Sequence, residues 1–242
     1  MSPILGALLG GSVAAAATAL GCLPALFVKT IPQRVQDAMF GFGAGVMLAA
    51  SAFSLALPGI EGARQAGHGV WAAGSIVGVA LLVGAALLML LERAVPHEHF
   101  IKGAEGRSPQ RLKRVWLFVF AICLHNLPEG LAIGVGFASS PTQGFALATG
   151  IAVQDLPEGL VVAIALLAVG YQRGFAVLIG MASGLIEPVG AVLGALIVVQ
   201  FPLLLPLALG FAAGAMLFVV SHEIIPESHR QGHENYATSG LL

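Results

Sequence analysis

Long apolar stretches alternate with short polar breaks from one end of this chain to the other. A helix that crosses a bilayer needs about 20 mainly apolar residues. Seven stretches meet that requirement, at 3–28, 37–60, 69–92, 115–138, 143–169, 174–199 and 203–225. The breaks between them are short except for 93–114, which is polar and carries most of the positive charge. The pattern predicts an all-α, polytopic membrane helix bundle with seven visible spans.

Two polar runs fall inside spans rather than between them. His125-Asn126-Leu127-Pro128-Glu129-Gly130 lies near the centre of span 4, and its near copy Gln154-Asp155-Leu156-Pro157-Glu158-Gly159 near the centre of span 5. An acid at that depth costs about 2.5–3.5 kcal/mol even on the lenient insertion scale, which marks it as functional by default. Helix positions i, i+3 and i+4 share a face. His125, Asn126 and Glu129 therefore project together from span 4, and Gln154, Asp155 and Glu158 from span 5. Packed face to face, they surround one small volume with an imidazole, two amides and three carboxylates. Pro128 and Pro157 lack an N–H, so each frees the carbonyl four residues earlier and predicts a kink. Carbonyls freed at membrane depth need protein, water or an ion as partner. Imidazole, carboxylate and amide oxygen together suit a borderline divalent metal, Zn2+ first, with Cd2+, Fe2+ and Mn2+ also open. The alternative is a self-satisfied hydrogen-bond network that fixes helix packing.

The pair HNLPEG and QDLPEG resembles the doubled signature of the ZIP family of divalent-metal transporters. The Gln-Asp opening of the second motif resembles the bacterial GufA-like branch, and the resemblance covers nearly the whole chain. It implies eight core helices with both termini outside, zinc import into the cytoplasm by elevator-like alternating access, and a binuclear metal centre. One site would use His125, Glu129, Gln154, Glu158 and Glu187 of span 6; the other would use Asn126, Glu129, Asp155 and Glu158. The two glutamates would bridge, and shared carboxylates offset the repulsion between neighbouring dications. Gln154 stands where other branches carry His, which keeps the choice of metal open. The other role for Glu187 is helix packing, and the alternative function is a membrane metal sensor or structural metal site without transport.

Composition agrees with the span pattern. The chain is 57% hydrophobic and 10% charged, against about 25% charged in soluble domains. No basic arm points to nucleic acid, so the implied partners are divalent metal ions and the lipid bilayer, with a homodimer carried as the alternative to a monomer. Cys22 and Cys123 lie inside apolar spans, and no Cys-x-x-Cys site exists. An intramembrane metalloprotease needs His-Glu-x-x-His; His222-Glu223 is followed by Pro226 where the second His would stand, so no enzyme is expected.

Ten of the 11 Lys and Arg residues fall in breaks on one side of the seven spans, with Arg64 alone on the other. Positive charge marks the cytoplasmic side. The amino terminus is therefore expected outside and loop 93–114 in the cytoplasm, in the cell inner (plasma) membrane. With that orientation, Gly41-Phe42-Gly43-Ala44-Gly45-Val46-Met47-Leu48 of span 2 and Gly210-Phe211-Ala212-Ala213-Gly214-Ala215-Met216-Leu217 of span 7 run in opposite directions. Inverted repeats with discontinuous helices at the midplane are a recurrent transporter plan. The expected arrangement is 3+2+3: a first three-helix repeat (1–92), the loop (93–114), a central metal-binding pair (115–169) and a second repeat (170–242). The third helix of that second repeat should begin near Ala237, so the C-terminal eighth helix is expected to be missing for most of its length. Spans 2, 4, 5 and 7 are expected to move against 1, 3, 6 and the missing eighth.

Several other residues have two readings each. His222 and Glu223, at the cytoplasmic end of span 7, form an exit relay or an ordinary membrane interface. His97 and His99 make transient metal contact in loop 93–114 or are simply solvated there. Met47 is a hydrophobic gate or packing, and His229 and His233 read as a mobile tail. Orientation is checked by labelling in a background without Cys22 and Cys123. Gln65→Cys should react with an impermeant maleimide on intact cells and Gln172→Cys only after permeabilisation; the reverse pattern would invert the topology.

Overall fold

A computed structural model describes residues 1–28, 30–94, 109–229 and 232–242. The apolar stretches become helices because, without water, each backbone N–H and C=O must be satisfied within its own segment. Among the described residues there is no strand, and seven helical spans are long and apolar enough to cross a membrane. α1 (Pro3–Cys22) runs into a 3₁₀ turn at Leu23–Leu26. Span 2 consists of α2 (Gln33–Ala49), a π-helical segment Ala50–Ala56, and α3 (Leu57–Gln65). Then come α4 (Val70–Ala94), α5 (Pro109–Ser139) and α6 (Pro141–Ala168). Span 6 divides into α7 (Arg173–Ser183) and α8 (Ile186–Gln200). Span 7 comprises a 3₁₀ turn Pro202–Leu204, α9 (Leu205–Val219), a π-helical segment Val220–Ile224, and α10 (Ile225–His229). α11 (Glu234–Leu241) follows, close to the start expected near Ala237.

Ser-Pro pairs set two of the helix starts. Ser2 Oγ accepts the Leu5 N–H at 3.3 Å, and Ser140 Oγ accepts that of Gln143 at 3.2 Å, each followed by a proline at the first helical position. The hydroxyl satisfies an orphan N–H, and proline has none to lose there. Span 2 reaches over Gln33–Gln65, beyond the expected 37–60, because hydropathy marks only the bilayer core while the helical ladder continues into water.

Breaks in the helices fall outside the two motifs. α5 continues through Pro128 and α6 through Pro157. The discontinuities are the turn at 184–185 and the two π segments, which precede Pro58 and Pro226. A proline ring excludes the carbonyl four residues back, and a π turn is one way for a helix to absorb such a disruption. Ser51 and Ser221 sit in these segments and donate to the carbonyls of Met47 (2.8 Å) and Leu217 (2.7 Å).

The inverted copies pack on equivalent partners. α1 lies along α6 as α8 lies along α5, and α4 lies along α9 as α11 lies along α2. A Cβ on Gly214 would collide with the carbonyl oxygen of Leu81, and one on Gly45 with that of Leu241. Small residues thus bring helix backbones into contact, as membrane packing favours. The helices form two groups, α1 with α5–α8 and α2–α4 with α9–α11, which meet mainly through α5 on α9 and α2 on α6. This grouping differs from the expected division of spans 2, 4, 5 and 7 against 1, 3 and 6. Apolar residues from both groups, among them Ala44, Met47, Leu147, Ile151 and Met216, fill the space between them. His233 is not part of a loose tail. Its Nδ1 lies 3.0 Å from Oδ2 of fully buried Asp37, whose Oδ1 accepts from Gln33 Nε2 at 2.9 Å, and the pair ties α11 to α2.

Gly214→Leu tests the backbone contact. Forcing side-chain volume into a close-packed site costs about 1–3 kcal/mol or more, so the detergent-purified variant should melt several degrees below wild type. An unchanged melting temperature would contradict the contact.

Candidate metal centre

α5 and α6 lie against one another with their motif faces inward. His125, Asn126 and Glu129 on α5 are buried, as are Gln154 and Asp155 on α6, while Glu158 is half-buried. Glu129, Asp155 and Glu158 each offer an oxygen, and these three oxygens lie within 4.8 Å of one another. Glu187 completes the buried set from the first turn of α8. The interruption of span 6 at 184–185 is what makes that position a helix N-terminus, where the macrodipole favours a carboxylate. Close approach of α8 to α5 needs Gly130, whose Cβ would strike the Glu187 carbonyl oxygen.

The polar groups of the cage are aimed by neighbours. Asn126 Nδ2 donates to the Ser183 carbonyl at 3.0 Å. Ser183 ends α7, so its carbonyl lacks a helical partner and is free to accept; its hydroxyl donates to the Gly180 carbonyl at 2.7 Å. Gln154 Nε2 donates to Glu129 Oε1. Both amides thereby use their donor ends on the protein and keep their oxygens. Thr18 of α1 donates to Glu187 Oε1 at 3.1 Å. Among the described residues, Asn126 Oδ1, Glu129 Oε2, Gln154 Oε1, Asp155 Oδ2 and Glu187 Oε2 are buried and accept no hydrogen bond. An acceptor left unsatisfied in the interior is costly, and five such acceptors on α5, α6 and α8 have the chemistry that could hold a cation. Oxygen and imidazole donors suit zinc and its neighbours.

The remaining candidate residues fall at varying distances from this cage. Met47 is 2% exposed and, with Gln154 and Glu158, lines a cleft of about 20 Å³ between α2 and α6, which puts it beside the centre as well as in the core. His222 sits in the second π segment, exposed, its ring stacked on Phe218 with centroids 5.0 Å apart. Glu223 shares that backbone segment, but its side chain lies outside the description, and His97 and His99 lie outside the described residues. Sequence reasoning missed Thr18 and Ser183. The only local signals were a hydroxyl, one of two with Ser12 in a mainly apolar span, and a Ser-Gly pair shortly before Glu187.

A bundle of seven helices long and apolar enough to cross a membrane, with an acid-rich, acceptor-lined cage between its central pair, defines a polytopic membrane protein. The ZIP Zinc transporter family profile matches residues 101–240. The chain is 54% identical to the zinc transporter ZIPB of Bordetella bronchiseptica over 247 aligned positions, covering 98% of this chain and 77% of the relative. It is 43% identical to the zinc transporter GufA of Myxococcus xanthus, covering 97% and 93%. It is 32% identical to the zinc transporter ZupT of Chlorobium limicola, covering 95% and 90%. The chain belongs to the ZIP family, in its bacterial GufA-like branch, and is thus a multi-pass membrane protein of a transporter family rather than an enzyme.

Glu129 has neighbours on both helices of the cage, so Glu129→Gln should weaken zinc binding more than tenfold in titration calorimetry of the purified protein. Wild-type affinity in that variant would place the zinc elsewhere.

Proposed function

We propose that this chain carries zinc across the membrane into the cytoplasm, binding it at the midplane between α5 and α6 and releasing it by alternating access. The observation that carries the proposal is the cluster of buried, unsatisfied acceptor oxygens on α5, α6 and α8. Membrane interiors retain such groups where they serve an ion path. The relatives named as zinc transporters support zinc as the substrate; Cd2+, Fe2+ and Mn2+ share enough ligand chemistry to compete.

The centre is binuclear in this proposal. His125, Glu129, Gln154, Glu158 and Glu187 hold one ion, Asn126, Glu129, Asp155 and Glu158 hold the other, and the two glutamates are shared. The orientation of Asn126 and Gln154, oxygens free and nitrogens tied to the protein, supports their role as ligands. Release toward the cytoplasm is supported by two neighbouring cavities. The cleft at Gln154 and Glu158 is bordered by Phe40 and Val161, and the same two residues border a wider cavity of about 240 Å³ lined by Thr30, Gln33, Gln36 and Glu227. On the other side, Met47 packs with Leu147, Ile151 and Met216, which supports a closed outer gate. Two helix groups joined by limited contacts support a rigid-body movement of one against the other.

Uptake into proteoliposomes tests the proposal. Wild type should accumulate zinc, and His125→Ala and Glu158→Ala should each reduce uptake to background; running cadmium, manganese and iron alongside ranks the metals. Tight binding without uptake would make the cage a sensing or structural site. Metal binding requires neutral imidazole and ionised carboxylates, so zinc affinity should fall as the pH drops from about 7 to about 5.5. Affinity that rises in acid would contradict the ligand set.

A further inference from the structure

We propose that Thr18 is a positioning residue of the metal cage, holding one oxygen of Glu187 so that the other faces the cation. The inference rests on the transport reading above and adds a residue of α1, which contributes none of the ligands. Thr18 and Glu187 lie 169 positions apart in sequence, are 1% and 0% exposed, and their side chains meet at 3.1 Å.

A threonine in an apolar span ordinarily satisfies its hydroxyl on the carbonyl four residues back. That acceptor is present, at Ala14 and 3.3 Å. The hydroxyl has one proton, however, and a carboxylate is the stronger acceptor. Glu187 Oε1 is the nearer of the two. With Oε1 held in this way, Oε2 is the Glu187 oxygen that accepts no hydrogen bond.

The seat of Thr18 is fixed independently of that bond. A Cβ on Gly184, in the turn before α8, would come within 2.9 Å of Thr18 Cβ and 3.0 Å of its Oγ1. A Cβ on Gly159, next to Glu158, would strike the Thr18 carbonyl oxygen. One turn further on, Cys22 Sγ lies within hydrogen-bond distance of the carbonyls of Thr18 (3.1 Å) and Gly159 (3.2 Å) and can donate to either. α1 is thus pressed against both α6 and the start of α8 at the level of Thr18, which aims its hydroxyl at the carboxylate.

The chemical consequence is a Glu187 that binds through a single oxygen. One-oxygen ligation suits the low coordination number of zinc, whereas an oxygen-preferring octahedral ion such as manganese gains more from a second oxygen. Thr18 should therefore affect the preference for zinc as well as its affinity.

The test compares wild type, Thr18→Val, Thr18→Ser, Glu187→Gln and the double variant Thr18→Val/Glu187→Gln in proteoliposome uptake and zinc titration, with melting temperature recorded for each. Thr18→Val, which keeps the shape, should raise the zinc KM and Kd about tenfold, the low end for losing a bond that orients a metal ligand. It should lower the ratio of zinc to manganese uptake. Thr18→Ser should restore both values nearly to wild type, and Thr18→Val should add nothing in the Glu187→Gln background. A wild-type zinc KM in Thr18→Val would overturn the inference. So would equal impairment in Thr18→Ser, or full additivity with Glu187→Gln, each of which would make Thr18 a packing residue. If wild-type protein neither binds nor moves zinc, the transport reading itself falls; that outcome is separate because it does not depend on any Thr18 variant.

Discussion

Glu129, Asp155, Glu158 and Glu187 converge at the centre of a membrane bundle, and the rest of the structure answers to that constraint. Buried charge is tolerated when it is paired and its remaining lone pairs are satisfied. Every Lys and Arg of this chain lies in or beside a break between spans, far along the sequence from these acids. What the protein supplies instead is the positive end of α8 beside Glu187 and donors from Gln154 and Thr18. Those donors do not use up the acceptors, since at least five oxygens remain. Acceptors that the described neighbours leave open suit the proposed role of holding a cation that enters and leaves.

The architecture that presents this cage follows from small residues and from inversion. Glycines let α5 and α8 approach closely enough for Glu187 to reach the acids of α5 and α6. The same device, repeated in opposite direction, joins α4 to α9 and α11 to α2. The result separates a group that bears the candidate ligands from a group that does not, with mainly apolar contact between them. Apolar surfaces sliding past one another break few directional bonds, which suits the alternating access proposed above.

Much of the centre was legible in the sequence because helical periodicity is local. Spacing alone puts His125, Asn126 and Glu129 on one face and Gln154, Asp155 and Glu158 on another, and the structure buries both faces, Glu158 partly. The span pattern was legible for a related reason, since hydropathy over about 20 residues is a strong signal. Contacts between distant positions left no such trace. Thr18 meets Glu187 across 169 positions, and Asn126 finds a backbone carbonyl at Ser183 that has no side-chain signature. Hydrogen-bond register left less trace: α5 and α6 continue through Pro128 and Pro157, whereas the π segments at Ala50–Ala56 and Val220–Ile224 were not foreseen, although each precedes a proline. His233 read as tail because its partner, Asp37, lies 196 positions away.

Anomalous X-ray diffraction at the zinc edge from crystals of the zinc-loaded protein tests the central claim most directly. The account predicts two anomalous peaks between α5 and α6, each beside the carboxylates of Glu129 and Glu158, with the imidazole of His125 at about 2.0–2.1 Å from one of them. Peaks confined to loops or helix ends, with none at the midplane, would contradict it.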